Sequence, residues 1–298
     1  MFHFSLAGIR SMKLFTTLLF LLGLNASVHA TEPQNVPLKR VMILGYDDHA
    51  MEPFITRDGR YLLFNNLNQP PVNTDIHYAE RQDDFTWRYR GKVGGINTPA
   101  LEGCPTMDRA GKIFFVSPRS YPKTLCTIYS GNFKDGVVTD VRIVESISLK
   151  KPGLVNFDVD VSPDGKMLTF VDSHFTPGTG PTKADLVIAF WNGTQFVRSP
   201  DSARLLSQVN TAGLQYAPAI SADKLTLYFT RMDHNSNFHG PQIYRATRSN
   251  VDSPFGSPQH MEGLGDFVEG PAFSANERLL YFHRTDGERF NLYAMQIP

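Results

Sequence analysis

Apolar and polar residues alternate along most of the chain in short runs broken by turn signals, the pattern of half-buried β-strands. One stretch, DVDVSPDGKMLTFVD from Asp158, places two alternating runs around a Pro-Asp-Gly, and near-copies of it recur. EPFITRDGRYLLFNN begins at Glu52, CPTMDRAGKIFFVS at Cys104, APAISADKLTLYFTR at Ala217 and GPAFSANERLLYFHR at Gly270. Counted from the second residue of each copy, successive spacings are 52, 54, 59 and 53 residues. A fixed period of this length marks a repeat architecture.

Each copy has the same internal grammar. Thr56, Asp108, Ser162, Ser221 and Ser274 end a first strand, and Gly59, Gly111 and Gly165 then fall where a tight turn needs positive φ. Lys224 and Glu277 stand there in the last two copies, which leaves a different turn type open. The second strand closes on Phe64, Phe115, Phe170, Phe229 or Phe282, side chains large enough to fill the space between stacked sheets. A third strand follows a polar loop, with Tyr78, Tyr129, Tyr244 and Tyr293 in register, and a fourth follows in the first four copies. The fifth copy stops short of one, whereas VPLKRVMILG precedes the first copy. Pairing of residues 41–44 with residues 292–296 would complete the last unit and remove an exposed sheet edge. The predicted fold is therefore all-β: a single five-bladed β-propeller of four-stranded blades over residues 36–298, closed by the N-terminal strand.

The repeated element x-(E)-P-x-x-S-P-D-G-(K/R)-x-(L/I)-x-F, with its following (I/L)-Y strand, resembles the TolB-type, WD40-like β-propeller repeat. That resemblance spans essentially all of residues 36–298 and implies the propeller fold. It leaves function open, because such blades occur in periplasmic scaffold proteins, in peptidase accessory domains and in sugar-processing enzymes.

Composition narrows the choice of partner. Lys+Arg and Asp+Glu both number 29, with no basic stripe to neutralise a phosphate backbone, so nucleic acid is excluded as an expected partner. Residues 1–30 read as a secretory signal opening at Met12, with Lys13, an apolar run from Leu14 to Leu24 and the small-x-small site Val28-His29-Ala30. Residues 31–35 form a linker. The apolar run is shorter than the ~20 residues of a membrane-crossing helix, so no membrane span is expected in the mature form. Export to the periplasm or the extracellular space follows, with a monomer expected.

Strand order gathers candidate site residues. The loops between second and third strands and the lead-ins to the first strands share one end of an antiparallel unit, and long loops on a rigid ring are where binding usually sits. The binding residues predicted there are His49, Arg119, Tyr121, His174, Tyr216, Arg231, His234, Phe238 and Arg284, a mixture suited to a protein or glycan ligand. For Arg231 and Arg284, pairing with a neighbouring carboxylate is the plain structural alternative. Glu52, Glu102, Asp158 and Glu269 are the candidate carboxylates if the protein is an enzyme. No cofactor is predicted. The loop histidines, His239 among them, lack the spacing of a metal motif, and oxygen-ligated calcium held by Asp47, Asp48 and the channel carboxylates is the metal alternative. Cys104 and Cys126 lie at the same end of the second copy, and export favours a Cys104–Cys126 disulfide closing a loop of about twenty residues.

The chain has no Gly-x-Ser-x-Gly nucleophile elbow and no phosphate-cradling glycine loop. The leading expectation is a non-catalytic binding module. The alternative is a glycosidase or lyase, since five-bladed rings resemble the arabinanase-type glycosidases, with two carboxylates about 5–10 Å apart as the requirement.

Overall fold

The computed structural model describes residues 38–68, 73–176, 180–211, 213–233 and 240–297. The signal segment, the linker, His234, Phe238 and His239 lie outside them. Two short strands come first, β1 (Lys39–Arg40) and β2 (Met42–Leu44). The five sequence copies then supply β3 (Met51–Ile55), β4 (Tyr61–Asn65), β5 (Ile76–Arg81) and β6 (Thr86–Lys92); β7 (Gly103–Met107), β8 (Lys112–Val116), β9 (Ile128–Lys134) and β10 (Val137–Ile143). Next come β11 (Leu154–Val161), β12 (Met167–Thr176), β13 (Gly180–Trp191) and β14 (Phe196–Arg198), then β15 (Leu214–Ile220), β16 (Thr226–Met232), β17 (Gln242–Thr247) and β18 (Gln259–His260). The last copy contributes β19 (Val268–Phe273), β20 (Leu279–Thr285) and β21 (Phe290–Gln296). Helix is confined to single turns such as α1 (Tyr121–Thr124) and α2 (Ser202–Leu205).

Within each copy the strands pair antiparallel in chain order, and the first strands neighbour one another in succession: β3 beside β7, β7 beside β11, β11 beside β15, β15 beside β19, and β19 again beside β3. Five apolar clusters fill the spaces between consecutive sheets. One joins Phe54, Leu63 and Ile76 to Met107, Ile113 and Phe115, and another joins Ala272, Tyr281 and Leu292 to Ile55, Leu62, Phe64 and Trp87. The phenylalanines of the repeat, Phe64, Phe115, Phe170, Phe229 and Phe282, are all fully buried in these clusters.

The tight turns are alike in all five copies. Lys224 (φ 64°) and Glu277 (φ 56°) adopt the left-handed conformation that Gly59, Gly111 and Gly165 adopt in the others. A hydroxyl at the strand end holds the turn by donating to the side chain two residues on: Thr56 to Asp58 (2.6 Å), Ser162 to Asp164 (2.6 Å), Ser221 to Asp223 (2.5 Å) and Ser274 to Asn276 (2.8 Å). These bonds stabilise the turn without glycine.

The N-terminal strand is divided between two sheets. Lys39 and Arg40 pair with Ala294 and Tyr293 of β21, and the Val41 amide donates to the Leu292 carbonyl (2.8 Å). The chain then leaves the last sheet, and Met42, Ile43 and Leu44 run parallel to Thr86, Trp87 and Arg88 at the outer edge of the first. Residues 41–44 are thus not all beside residues 292–296, as the pattern had predicted. Val41 is the pivot: it is buried between the two sheets, in the cluster with Trp87, Leu292 and Ala294. Beyond it the edge of β6 offers unpaired backbone groups, which β2 satisfies. Replacing Phe170 with Ala should destabilise the protein by about 3–5 kcal/mol, as removal of a fully buried aromatic does; chemical denaturation would check this, and a loss under 1 kcal/mol would deny the aromatic wedge its role.

Candidate functional site

Every first strand carries a bulge at the same place. Between Met51 and Phe54 the β3 strand advances three residues while β4 advances two, from Asn65 to Leu63. The same extra residue occurs between Gly103 and Thr106, Phe157 and Asp160, Tyr216 and Ala219, and Glu269 and Ala272. At each bulge one residue is left-handed: Glu52 (φ 49°), Cys104 (φ 51°), Asp158 (φ 45°), Ala217 (φ 46°) and Gly270 (φ 65°). A bulge re-aims a side chain relative to the regular pleat. Here all five positions line one small central cavity, of about 40 Å³.

The chemistry of this ring is acidic. Single donor atoms of Glu52, Cys104 and Asp158 lie within 4.8 Å of one another. The Cys104 thiol donates to Asp158 Oδ1 (2.9 Å), and the Ala217 amide donates to Asp158 Oδ2 (3.0 Å). Glu52 and Cys104 are partly buried at the cavity, and desolvation is the leading influence on their ionisation. Burial, then the Asp158 and Glu269 carboxylates, push the Glu52 carboxyl well above its ordinary range. Burial raises Asp158 to about 6 against its two hydrogen bonds, and burial with the neighbouring carboxylates raises the Cys104 thiol.

A second layer closes the cavity toward the tight turns. Arg57 donates to the carbonyls of Met107 (3.0 Å) and Val161 (2.9 Å) and faces Asp160 Oδ1 at 3.7 Å. Asp160 also accepts from Thr106 Oγ1 (2.6 Å) and the Ile220 amide (2.7 Å). Four sheets are tied together by this one buried ion pair. On the opposite side of the ring, Tyr216 donates its hydroxyl to Glu269 Oε1, and His283 Nε2 lies 3.1 Å from Glu269 Oε2. Burial and the Glu269 carboxylate push the Tyr216 phenol well above its ordinary value.

The structure sorts the predicted residues. Glu52, Asp158, Glu269 and Tyr216 come together around the axis. Glu102 does not: it is fully buried and accepts from the Thr98 amide (2.7 Å), the Thr98 hydroxyl (2.8 Å) and Ser117 (2.7 Å). Arg119, Arg231 and Arg284 form a repeated packing device, each guanidinium lying 4.1–4.6 Å above the centre of the in-register ring Tyr129, Tyr244 or Tyr293. Each also donates to a carbonyl in the segment that leads into its own copy, Ile96, Val209 or Leu264. For Arg284 the aromatic ring and the carbonyl stand where a carboxylate partner was the alternative, whereas Arg231 also feels the Asp233 carboxylate. The Tyr121 hydroxyl bridges the Gly153 amide and the Leu154 carbonyl, and His49 Nδ1 accepts the Phe290 amide (3.1 Å), so both join neighbouring segments. His174 is exposed on β12, beside a groove with Lys183 and Arg198. Asp47 and Asp48 are exposed near Arg289, away from the axial ring. Glu52, Cys104 and Asp158 bring two carboxylates and a thiol close enough together that they could hold a metal ion.

The disulfide prediction is overturned. Cys104 and Cys126 are both free. The bulge turns Cys104 into the axial cavity, whereas Cys126 is buried at the start of the third strand, its thiol donating to the Thr124 carbonyl (3.3 Å). Cys104 as an axial residue, Arg57 and Asp160 were missed. The signal was present in the column Glu-Cys-Asp-Ala-Gly that precedes the second residue of each copy, which only the bulge brings into one layer.

No family model and no curated protein matches the chain. Solved structures do match its fold. A glycoside hydrolase superposes with a TM-score of 0.59 at 10% identity over 87% of this chain and 91% of its own. The catalytic domain of Coprinopsis cinerea GH62 alpha-L-arabinofuranosidase does so with a TM-score of 0.52 at 10% identity, over 87% and 95%. TolB from Acinetobacter baumannii gives a TM-score of 0.46 at 15% identity over 84% of this chain, which spans 55% of that protein's length. With the cyclic neighbouring of its first strands, the fold is a β-propeller. No described helix is long and apolar enough to cross a membrane.

Unfolding the protein in the absence of reductant and titrating with a thiol reagent should reveal two free thiols, with Cys104 slow to react in the native state. Zero thiols would restore the bridge.

Proposed function

We propose that the protein is an exported, closed five-bladed β-propeller that acts as a non-catalytic module, binding a protein or glycan ligand at the loop end of its axis. The size of the axial cavity carries this reading. At about 40 Å³ it holds a water or two, whereas pockets that enclose organic ligands occupy about 300–1,000 Å³. A sugar ring cannot lie between Glu52 and Asp158, and Arg57 stops the channel below them. A ligand is therefore met outside the cavity, at the loop end, where exposed His174 and the aromatic pair Phe157–Phe175 (ring centres 6.0 Å apart) stand. Such a mixture of rings and polar groups suits a glycan or a peptide surface.

A second reading, a carbohydrate-active enzyme, is favoured by one distance. The Glu52 and Asp158 oxygens within 4.8 Å approach the ~5–5.5 Å carboxyl separation of retaining glycosidases, on a fold similar to that of an arabinofuranosidase. The mature protein should bind members of a glycan array or a periplasmic partner while leaving aryl arabinofuranosides and arabinoxylan intact. Turnover that Glu52→Gln and Asp158→Asn both abolish would replace the binding module with the enzyme.

A further inference from the structure

Beside His174 the loop end carries a groove of about 460 Å³, within the range of pockets that take organic ligands. It is lined by the segment leading into β11, through Leu149, Lys151 and Leu154, and by β12, β13 and β14. Two ion pairs are built into it. Asp172 on β12 accepts both terminal guanidinium nitrogens of Arg198 and the Asn156 side-chain amide (2.7 Å), while Arg198 also donates to the Ile147 carbonyl (2.7 Å). On β13, Lys183 Nζ lies 2.7 Å from Asp185 Oδ2. The Lys151 ammonium has no partner among the described residues, whereas its neighbour Lys150 is turned to Glu145 (2.6 Å). Three Lys and Arg side chains against two Asp leave one positive charge over in the groove, at Lys151.

The outward backbone groups of β13 in the groove are already taken. Asn210 bridges the Leu186 amide (2.9 Å) and carbonyl (2.8 Å), Ser202 Oγ accepts the Ile188 amide (3.0 Å), and the Ser199 amide donates to the Ile188 carbonyl (2.8 Å). An extended peptide joins a sheet by pairing with such an edge, so this stretch is closed to it. A sugar needs no free edge. It needs donors and acceptors held side by side and an apolar surface for its C–H faces, which the fixed pairs Asp172–Arg198 and Asp185–Lys183 and the exposed Leu149 supply. We infer that this groove binds an acidic oligosaccharide, a reading that rests on the loop end being the binding surface: a uronate carboxylate pairs with Lys151, and ring hydroxyls meet the two ion pairs. The ammonium–carboxylate contact neutralises the one charge that the protein leaves uncompensated there.

The test is calorimetric titration of the purified protein with galacturonate, glucuronate and mannuronate trisaccharides, with a neutral galactose trisaccharide, and with an oligoglutamate peptide. At least one uronate should bind about tenfold or more tightly than the neutral sugar, the difference that a hydrogen bond to a charged group makes. Lys151→Ala should remove about tenfold of that affinity and Lys151→Arg should retain it. Neither should shift Tm, because the side chain is exposed. Lys183→Ala, which leaves Asp185 without its cation, should weaken the uronate more than the neutral sugar. Three results would each overturn the inference: no uronate binds, Lys151→Ala leaves uronate binding unchanged, or oligoglutamate binds better than every uronate with the same dependence on Lys151. A neutral glycan or periplasmic protein bound in place of the uronates, and equally by wild type and Lys151→Ala, would overturn it too while leaving the loop-end reading intact.

Discussion

The bulge in each first strand is the constraint on which the rest of the molecule depends. A regular strand would send alternate side chains into the two neighbouring intersheet cores. One extra residue per strand turns a third direction inward, and five such residues meet at the axis. The left-handed backbone this requires is uncommon for residues other than glycine, and four of the five are not glycine. Such strain persists where surrounding packing over-determines it. Here the buried phenylalanines on either side and the backbone pairing before and after each bulge hold it.

With the axis fixed, the chemistry divides by height. Below, Arg57 and Asp160 form a buried ion pair whose hydrogen-bond partners come from four sheets, so its role is cohesion. Above, Glu52, Asp158 and Glu269 crowd three carboxylates with hydroxyl, thiol and imidazole partners. The cavity between the layers is small, about 40 Å³, and the axial acids line it. The arginines stacked on Tyr129, Tyr244 and Tyr293 do the corresponding work outside the axis, anchoring each connection to the sheet it enters.

Much of this order was written in the period of the sequence. Spacing located all five copies and the phenylalanine wedges, because those depend on local pattern and on turn chemistry. The division of the N-terminal strand was not legible, since it turns on Val41 finding a core shared by two sheets. The stacking of Arg119, Arg231 and Arg284 was not legible, because a sequence shows a guanidinium but not the ring beneath it. Cys104 and Cys126 looked like a bridge because compartment and spacing allow one, while the bulge that separates their thiols leaves no trace in residue type. Glu102 and Glu52 were alike on paper. Three hydrogen bonds to the first, and none to the second's carboxylate among the described residues, now set them apart.

A crystal structure of residues 31–298 tests the central claim most directly. The account predicts Arg40 paired with Tyr293, and Glu52, Cys104, Asp158, Ala217 and Gly270 facing one channel, each at a bulge with positive φ. Regular first strands, or these five side chains distributed among separate surfaces, would contradict it.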